Sequence, residues 1–258
     1  MNVVVCVKQI PDPAVPGELD PTTHWLKREG KLILDDSDAY GVEMALQLAT
    51  AAGGGDVTLV SMAPNGETSG LRTALAMGAA NAILVSDDAL KGSDALGTAK
   101  VLAAAIKRAN PDLVITATEA TDGYTGTIPE QVAALLGFPS ITFAKKIETG
   151  DGKVKVERQT EAGYDEVEAP MPAVVSVTAG VVEPRYPSFK GIMAAKSKPV
   201  DTLTVADLGL DGQVGAANAR QEIVSVTAAE ERQAGEIIED DGEGFQKIVA
   251  FLENKKVI

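Results

Sequence analysis

Thr116-Ala-Thr-Glu-Ala-Thr-Asp-Gly-Tyr-Thr-Gly-Thr127 lies between an apolar, strand-like run at 112–115 and a helix-like run at 128–136. Strand, small polar loop and helix is the arrangement of a phosphate site. The loop offers hydroxyls at Thr118, Thr121 and Thr125 and permissive backbone at Gly123 and Gly126. These stand where unpaired helix N–H groups and the positive end of the helix dipole favour an anion. The same residues allow a plainer reading. Thr127-Ile-Pro-Glu130 also has the form of a capping box with proline near the first helical position, which describes a well-capped helix after an ordinary loop.

Outward from that loop the chain alternates. Residues 2–7 form a β-branched run ending at Lys8-Gln-Ile-Pro-Asp-Pro13, whose prolines exclude a helix there. The mixed segment 17–34 predicts a short hairpin around Glu29-Gly30. A helix is expected from about Asp38, capped by Ser37 or Asp38 and ended by Gly53-Gly-Gly55. That glycine run follows a helix and precedes a strand, so it is not a dinucleotide fingerprint. Strand 57–62, the loop Ala63-Pro-Asn-Gly, helix 67–77, strand 82–85, a helix capped by Ser93 or Asp94 and reaching Arg108, and strand 113–115 complete the series.

Four strand–helix alternations predict an α/β fold: a doubly wound, mostly parallel sheet with helices on both faces, of Rossmann-like nucleotide-binding type. Such sheets bind ligands at the carboxyl ends of their strands, where successive connections diverge. A strand order of 3-2-1-4 would bring residues 6–8, 61–63 and 116–125 around one crevice.

After Phe138-Pro139 the pattern changes to hairpin-like runs at 141–147, 153–158, 164–168 and 173–178. The segment 185–200 carries Arg185, Lys190, Lys196 and Lys198 and no acid, within a chain of formal charge -14. Tyr186, Phe189, Ile192 and Met193 are interleaved with these charges. Apolar anchors inside a positive rim predict a docking surface for an acidic partner. Two regions follow from this reading: 1–200, the nucleotide-binding α/β domain with hairpin additions, and 201–258, a C-terminal arm. The arm contains a hydrophilic stretch at 213–231 and an amphipathic helix at 243–253, and would wrap another subunit.

At 258 residues and 45% hydrophobic, the chain can bury a substantial core. Its acidity argues against nucleic acid, which requires a basic surface to displace counterions. No apolar run approaches the roughly 20 residues of a membrane span, and residues 3–7 are too few for a signal peptide's apolar region, so the cytoplasm is expected. One cysteine, Cys6, and one histidine, His24, leave no Cys/His zinc site and no internal disulfide. No catalytic set is expected, and Asp35, Asp36 and Asp38 read as caps or solvated charge.

Several motifs together resemble the β subunit of electron-transfer flavoprotein, across almost the whole chain. They are Val5-Cys-Val-Lys-Gln-Ile-Pro-Asp12, Leu71-Arg-Thr-Ala-Leu-Ala-Met-Gly-Ala79, Asp122-Gly-Tyr-Thr-Gly126 and Val182-Val-Glu-Pro-Arg-Tyr-Pro-Ser-Phe-Lys-Gly-Ile-Met193 with Ala194-Ala-Lys196. Residues 155–176 also resemble the family signature, with departures at Ala162 and Asp165. The resemblance implies a heterodimeric electron carrier rather than an enzyme. A redox-active FAD would be held mostly by the α subunit, and a structural AMP by this chain. Electrons would come from flavin dehydrogenases, such as the acyl-CoA dehydrogenases of fatty acid β-oxidation. They would leave to a quinone-reducing oxidoreductase or another acceptor.

The implied nucleotide residues are Cys6, Lys8, Asp35, Met62, Ala117, Thr118, Asp122, Gly123, Tyr124, Thr125 and Gly126, with Thr125 and the amides of residues 123–126 on the phosphate. The implied docking residues are Arg185, Phe189, Ile192, Met193, Lys196 and Lys198, with Phe189 projecting into a partner's pocket. Where the family commonly carries Asn-Pro-Phe before its first helix, this chain has Asp35-Asp36-Ser37. An electron-bifurcating relative with a second FAD in the AMP crevice is an alternative. A free-standing adenine-nucleotide-binding regulatory domain is another, which the first 140 residues alone would permit. A hydrolase or ligase acting at a nucleotide α-phosphate is disfavoured, because the loops around the crevice lack a catalytic basic motif.

Overall fold

Val3–Cys6 (β1) is buried on both faces, and its alternation places it inside a sheet covered on each side. Val3 and Val5 enter one apolar cluster, while Val4 and Cys6 enter a second. A computed structural model of the chain describes residues 1–63, 65–227, 235, 237–239 and 242–258. The chain divides into two units, Met1–Ile223 and Val224–Ile258.

After β1 come the antiparallel pair Gln9–Pro11 (β2) and Leu32–Leu34 (β3), then Asp36–Ala51 (α1) and Val57–Met62 (β4). Ser69–Met77 (α2), Asn81–Val85 (β5), Ala95–Ala109 (α3), Leu113–Ala117 (β6) and Ile128–Leu136 (α4) follow. Strands β5, β4, β1 and β6 are parallel neighbours in that order, the 3-2-1-4 arrangement expected from the sequence. Residues of α1 and α2 share the cluster of Val3 and Val5, whereas those of α3 and α4 share the cluster of Val4 and Cys6. The sheet is therefore doubly wound, and the connections diverge between β1 and β6.

The remaining strands are Ser140–Gly150 (β7), Lys153–Thr160 (β8), Gly163–Pro170 (β9) and Ala173–Val177 (β10). The first three form the expected antiparallel meander. β10 does not. It inserts between β6 and β7, parallel to both, and all of its residues are buried. A run of five buried residues suits a strand covered on both faces rather than a hairpin edge. Phe189–Ala195 (α5) leads into Val200–Leu203 (β11), which pairs with β5 and completes a nine-stranded sheet.

The hairpin expected around Glu29-Gly30 is absent among the described residues. Leu26 instead bridges back to Leu19, and Leu32–Leu34 pairs with β2, which buries Leu32 and Leu34. Helix α1 begins two residues earlier than expected, because Asp35 provides the cap. Pro64 and residues 228–231, the end of the expected hydrophilic stretch, lie outside the described residues. The start of that stretch is anchored in the first unit: Val214 is buried, Gly215 N donates to Ser93 Oγ, and Arg220 N donates to Asp94 Oδ2. In the second unit, Gly244–Asn254 (α6) exposes Phe245, Ile248, Val249 and Phe251.

Candidate functional site

The carboxyl ends of β1 and β6 face the start of α1, and two buried carboxylates tie these elements together. Asp35 is fully buried; its Oδ1 accepts Ser37 N at 3.0 Å, capping α1. Its Oδ2 accepts Thr121 N at 2.7 Å and Thr121 Oγ1 at 3.1 Å, so one side chain fixes both the helix start and the loop after β6. Asp38 Oδ2 accepts Lys8 N at 2.6 Å, and Lys8 O accepts Asp35 N at 3.0 Å. Asp35 is a cap, one of the two roles expected from sequence, but neither it nor Asp38 is solvated. Short acids before a helix read as surface caps, and only the return of the β6 loop over them removes the water. Burial raises the Asp38 carboxyl well above the ordinary range, and the nearby Asp35 charge adds to this, while the Lys8 amide partly opposes it.

Asp122 is the loop's own carboxylate, with its side chain only 6% exposed. Lys8 Nζ reaches it at 2.6 Å, and Arg28 Nη2 pairs with its other oxygen. Burial alone would raise the Asp122 carboxyl; the Lys8 and Arg28 charges outweigh that and hold it below the usual range. Arg28 Nη1 also donates to Gln9 O at 3.4 Å, linking this pair to β2. Sequence reading missed Arg28, which sat in the supposed hairpin. The available signal was acid at Glu119 and Asp122 in a phosphate-type loop, which requires a cation from elsewhere.

The loop backbone departs from expectation in an informative way. Tyr124 adopts φ +48° and Gly126 φ +67°, and Ala120 O accepts Tyr124 N at 2.9 Å and Gly123 N at 3.4 Å. Those two amides, expected on a phosphate, close an internal turn instead. The capping box does not form either: Thr127 makes no side-chain cap, and its Oγ1 accepts Gln131 Nε2 at 3.1 Å. Threonine's short side chain satisfies the longer amide one turn ahead and leaves the helix end bare. Among the described residues, no partner engages the amides of Thr125, Gly126, Thr127 or Ile128.

The other expected nucleotide residues are distributed as follows. A Cβ built at Gly123 would lie 3.9 Å from both Lys8 Nζ and Thr125 Oγ1, so these groups share one side of the loop. Thr118 turns away, donating to Val177 O at 3.0 Å. Cys6 and Ala117 are buried, Met62 packs on the cluster containing Cys6, and Tyr124 is exposed. Burial, with the Asp38 charge second, pushes the Cys6 thiol up to about 12, so it remains a neutral thiol. The buried hydroxyls of Ser61 and Thr116, near the ends of β4 and β6, have no hydrogen-bond partner. Unclaimed amides at a helix start and a lysine on the preceding loop fit a phosphate-bearing ligand such as a nucleotide.

The basic segment is built onto α2. Arg72 Nη1 donates to Ala195 O at 2.7 Å and Lys198 O at 2.8 Å, while Lys198 Nζ donates to Leu75 O and Ala79 O at 2.9 and 2.6 Å. Arg185 engages buried Glu43 through Nε at 2.6 Å and Nη2 at 3.0 Å. Two of the cations expected on the rim thus serve the chain's own packing. Lys196 is exposed, as are Phe189 at 81% and Ile192 and Met193 at about half.

Among the described residues, no group of three or more His, Cys, Asp or Glu side chains could hold a metal, and no helix is long and apolar enough to cross a membrane. The doubly wound sheet, with Asp35, Asp38 and Asp122 gathered at the β1 and β6 ends, places the chain in the Rossmann-like α/β class. The electron transfer flavoprotein domain model matches residues 23–208. Electron transfer flavoprotein subunit beta of Mycobacterium tuberculosis is 40% identical over 264 aligned residues, covering 100% of this chain and 99% of the relative. That of Thermoanaerobacterium thermosaccharolyticum is 36% identical over 262, covering all of both chains. The caffeyl-CoA reductase-Etf complex subunit CarD of Acetobacterium woodii is 37% identical over 221, covering 85% of this chain and 84% of the relative. The chain belongs to the electron transfer flavoprotein β subunit family, which implies an α subunit as its partner and flavin as the group involved.

Proposed function

We propose that this chain is the β half of a heterodimeric electron carrier and itself binds an adenine nucleotide, AMP, in the crevice between β1 and β6. The observation that carries the reading is the uncapped start of α4, following a loop on which Lys8 Nζ and Thr125 Oγ1 share the Gly123 side. Thr125 and the amides of residues 125–128 would hold the phosphate, one step further along the loop than the sequence indicates. Asp35 positions the loop. An FAD held mainly by the α subunit would supply the redox chemistry when bound. Its exposed Phe189, Ile192 and Met193 would dock flavin dehydrogenases, with Lys196 on the rim. The region 201–258, expected as an arm, would reach the partner through α6, whose apolar residues are exposed.

A bifurcating role, with a second FAD in the same crevice, is the second reading, favoured by the likeness to the caffeyl-CoA reductase-Etf subunit. A free-standing nucleotide-binding domain accounts less well for the chain, because β7 to β9 and α5 add surfaces that such a domain does not need.

The test is expression with and without the α subunit. A flavin absorption spectrum is expected only from the co-purified pair. A stable yellow monomer of this chain would contradict the division of labour.

A further inference from the structure

We propose that Arg28 sets the charge of the nucleotide loop: it neutralises carboxylate that the loop places beside its own anion site, and so determines whether an anionic ligand is retained. The inference rests on the nucleotide reading above. The loop is crowded with acid. Asp35 Oδ2 lies on Thr121, the Asp122 carboxylate is within the loop, and Glu119 Oε2 would lie 3.3 Å from a Cβ at Gly126. A phosphate brought to the amides of residues 125–128 meets that negative field.

Among the described residues, the cations paired with these groups are Lys8 and Arg28. Lys8 alone cancels one charge, which leaves Asp122 neutralised and the other carboxylates unopposed. Arg28 adds the second. It comes from the segment between β2 and β3, outside the strand-loop-helix unit that forms the phosphate site, so the site is incomplete without it. Its guanidinium spans Asp122 and the carbonyl of Gln9, an arrangement suited to a forked donor.

The experiment uses the complex of this chain with its α subunit. Wild type, Arg28→Lys, Arg28→Gln and the double variant Arg28→Gln/Asp122→Asn are moved into nucleotide-free buffer. Retained AMP, and any FAD beyond one per complex, is measured over time by mass spectrometry. Arg28→Gln is expected to lose nucleotide at least about tenfold faster, the scale of one charge-assisted contact. Arg28→Lys, which keeps the charge but not the fork, should fall between wild type and Arg28→Gln. The double variant deletes one cation and one carboxylate together, so it should recover to within about threefold of wild type; a purely structural role for Arg28 predicts no such recovery.

Wild-type retention in Arg28→Gln, or a double variant as leaky as Arg28→Gln, would overturn the inference alone. If Arg28→Gln fails to assemble, the double variant, which buries no unpaired carboxylate, decides the matter against wild type by the same threefold criterion. A wild-type complex that releases no adenine nucleotide beyond its one FAD would overturn the nucleotide reading, and this inference with it.

Discussion

Replacing Asp35 by alanine removes three hydrogen bonds at once: the cap on Ser37 N and the two from Thr121. Losing a helix cap costs about 1 kcal/mol. A buried amide left without an acceptor costs about 1–3 kcal/mol more, since Asp35 is fully buried and water does not replace it without rearrangement. The expected loss is therefore about 2–4 kcal/mol. For a unit of this size that lowers the melting temperature by roughly 4–16 °C, at about 2–4 °C per kcal/mol. Asp35→Asn should fall between the two, because one oxygen remains to accept and the amide nitrogen now opposes a donor. Circular dichroism melts of the complex at fixed concentration are the assay, since subunit association contributes to apparent stability. An Asp35→Ala melt within about 2 °C of wild type would refute the claim that this carboxylate joins α1 to the loop.

Asp38 supplies a pH signature. Its folded pKa lies above the unfolded value, so its contribution to stability is full below about pH 4 and is lost as pH rises through the raised folded value. Asp38→Asn keeps an oxygen for Lys8 N, and its melting temperature should fall less than wild type between pH 4 and 7; parallel pH profiles would contradict the buried, charge-sensitive placement. Arg185→Ala leaves the Glu43 carboxylate, 3% exposed, without its charged partner but still bonded to Gln47 Nε2, and should cost about 1–2 kcal/mol in denaturant titration, reduced by the half-exposed position of the arginine. Gly191→Ala would place a Cβ 2.4 Å from the Ala76 carbonyl oxygen, lifting α5 from α2. Electron transfer from flavin dehydrogenases should slow while flavin content holds, as it should for Phe189→Ala, and unchanged stopped-flow rates in both would remove α5 from docking.

The architecture was readable because apolar runs near 2–7, 57–62, 82–85 and 113–115 alternate with helices of clear periodicity, and burial on both faces is written into β-branched strands such as Val3–Cys6. β10 was readable as a strand but not as an inserted parallel one, since its five apolar residues look alike in either pairing. The site was legible as a loop and less so as a set of partners. Asp122 and Thr125 stood out by type, but Arg28 and Asp35 act across distances of 94 and 86 residues, which local pattern does not encode. The capping box misled for a related reason: Thr127 and Glu130 have the right spacing, yet the Gln131 amide reaches the hydroxyl. The likeness of residues 71–79 and 182–196 to family motifs also acquires a physical basis. Arg72 holds the end of α5, and the last turn of α2 receives Lys198.

The central claim is that this chain holds a nucleotide beside the β6 loop while electrons pass through a flavin held mostly by the α subunit. Mass spectrometry of the nucleotides released from the purified complex tests it most directly. One AMP and one FAD per complex is the predicted result. Two FAD would assign the crevice to bifurcation instead, and a single FAD with no second nucleotide would contradict the account.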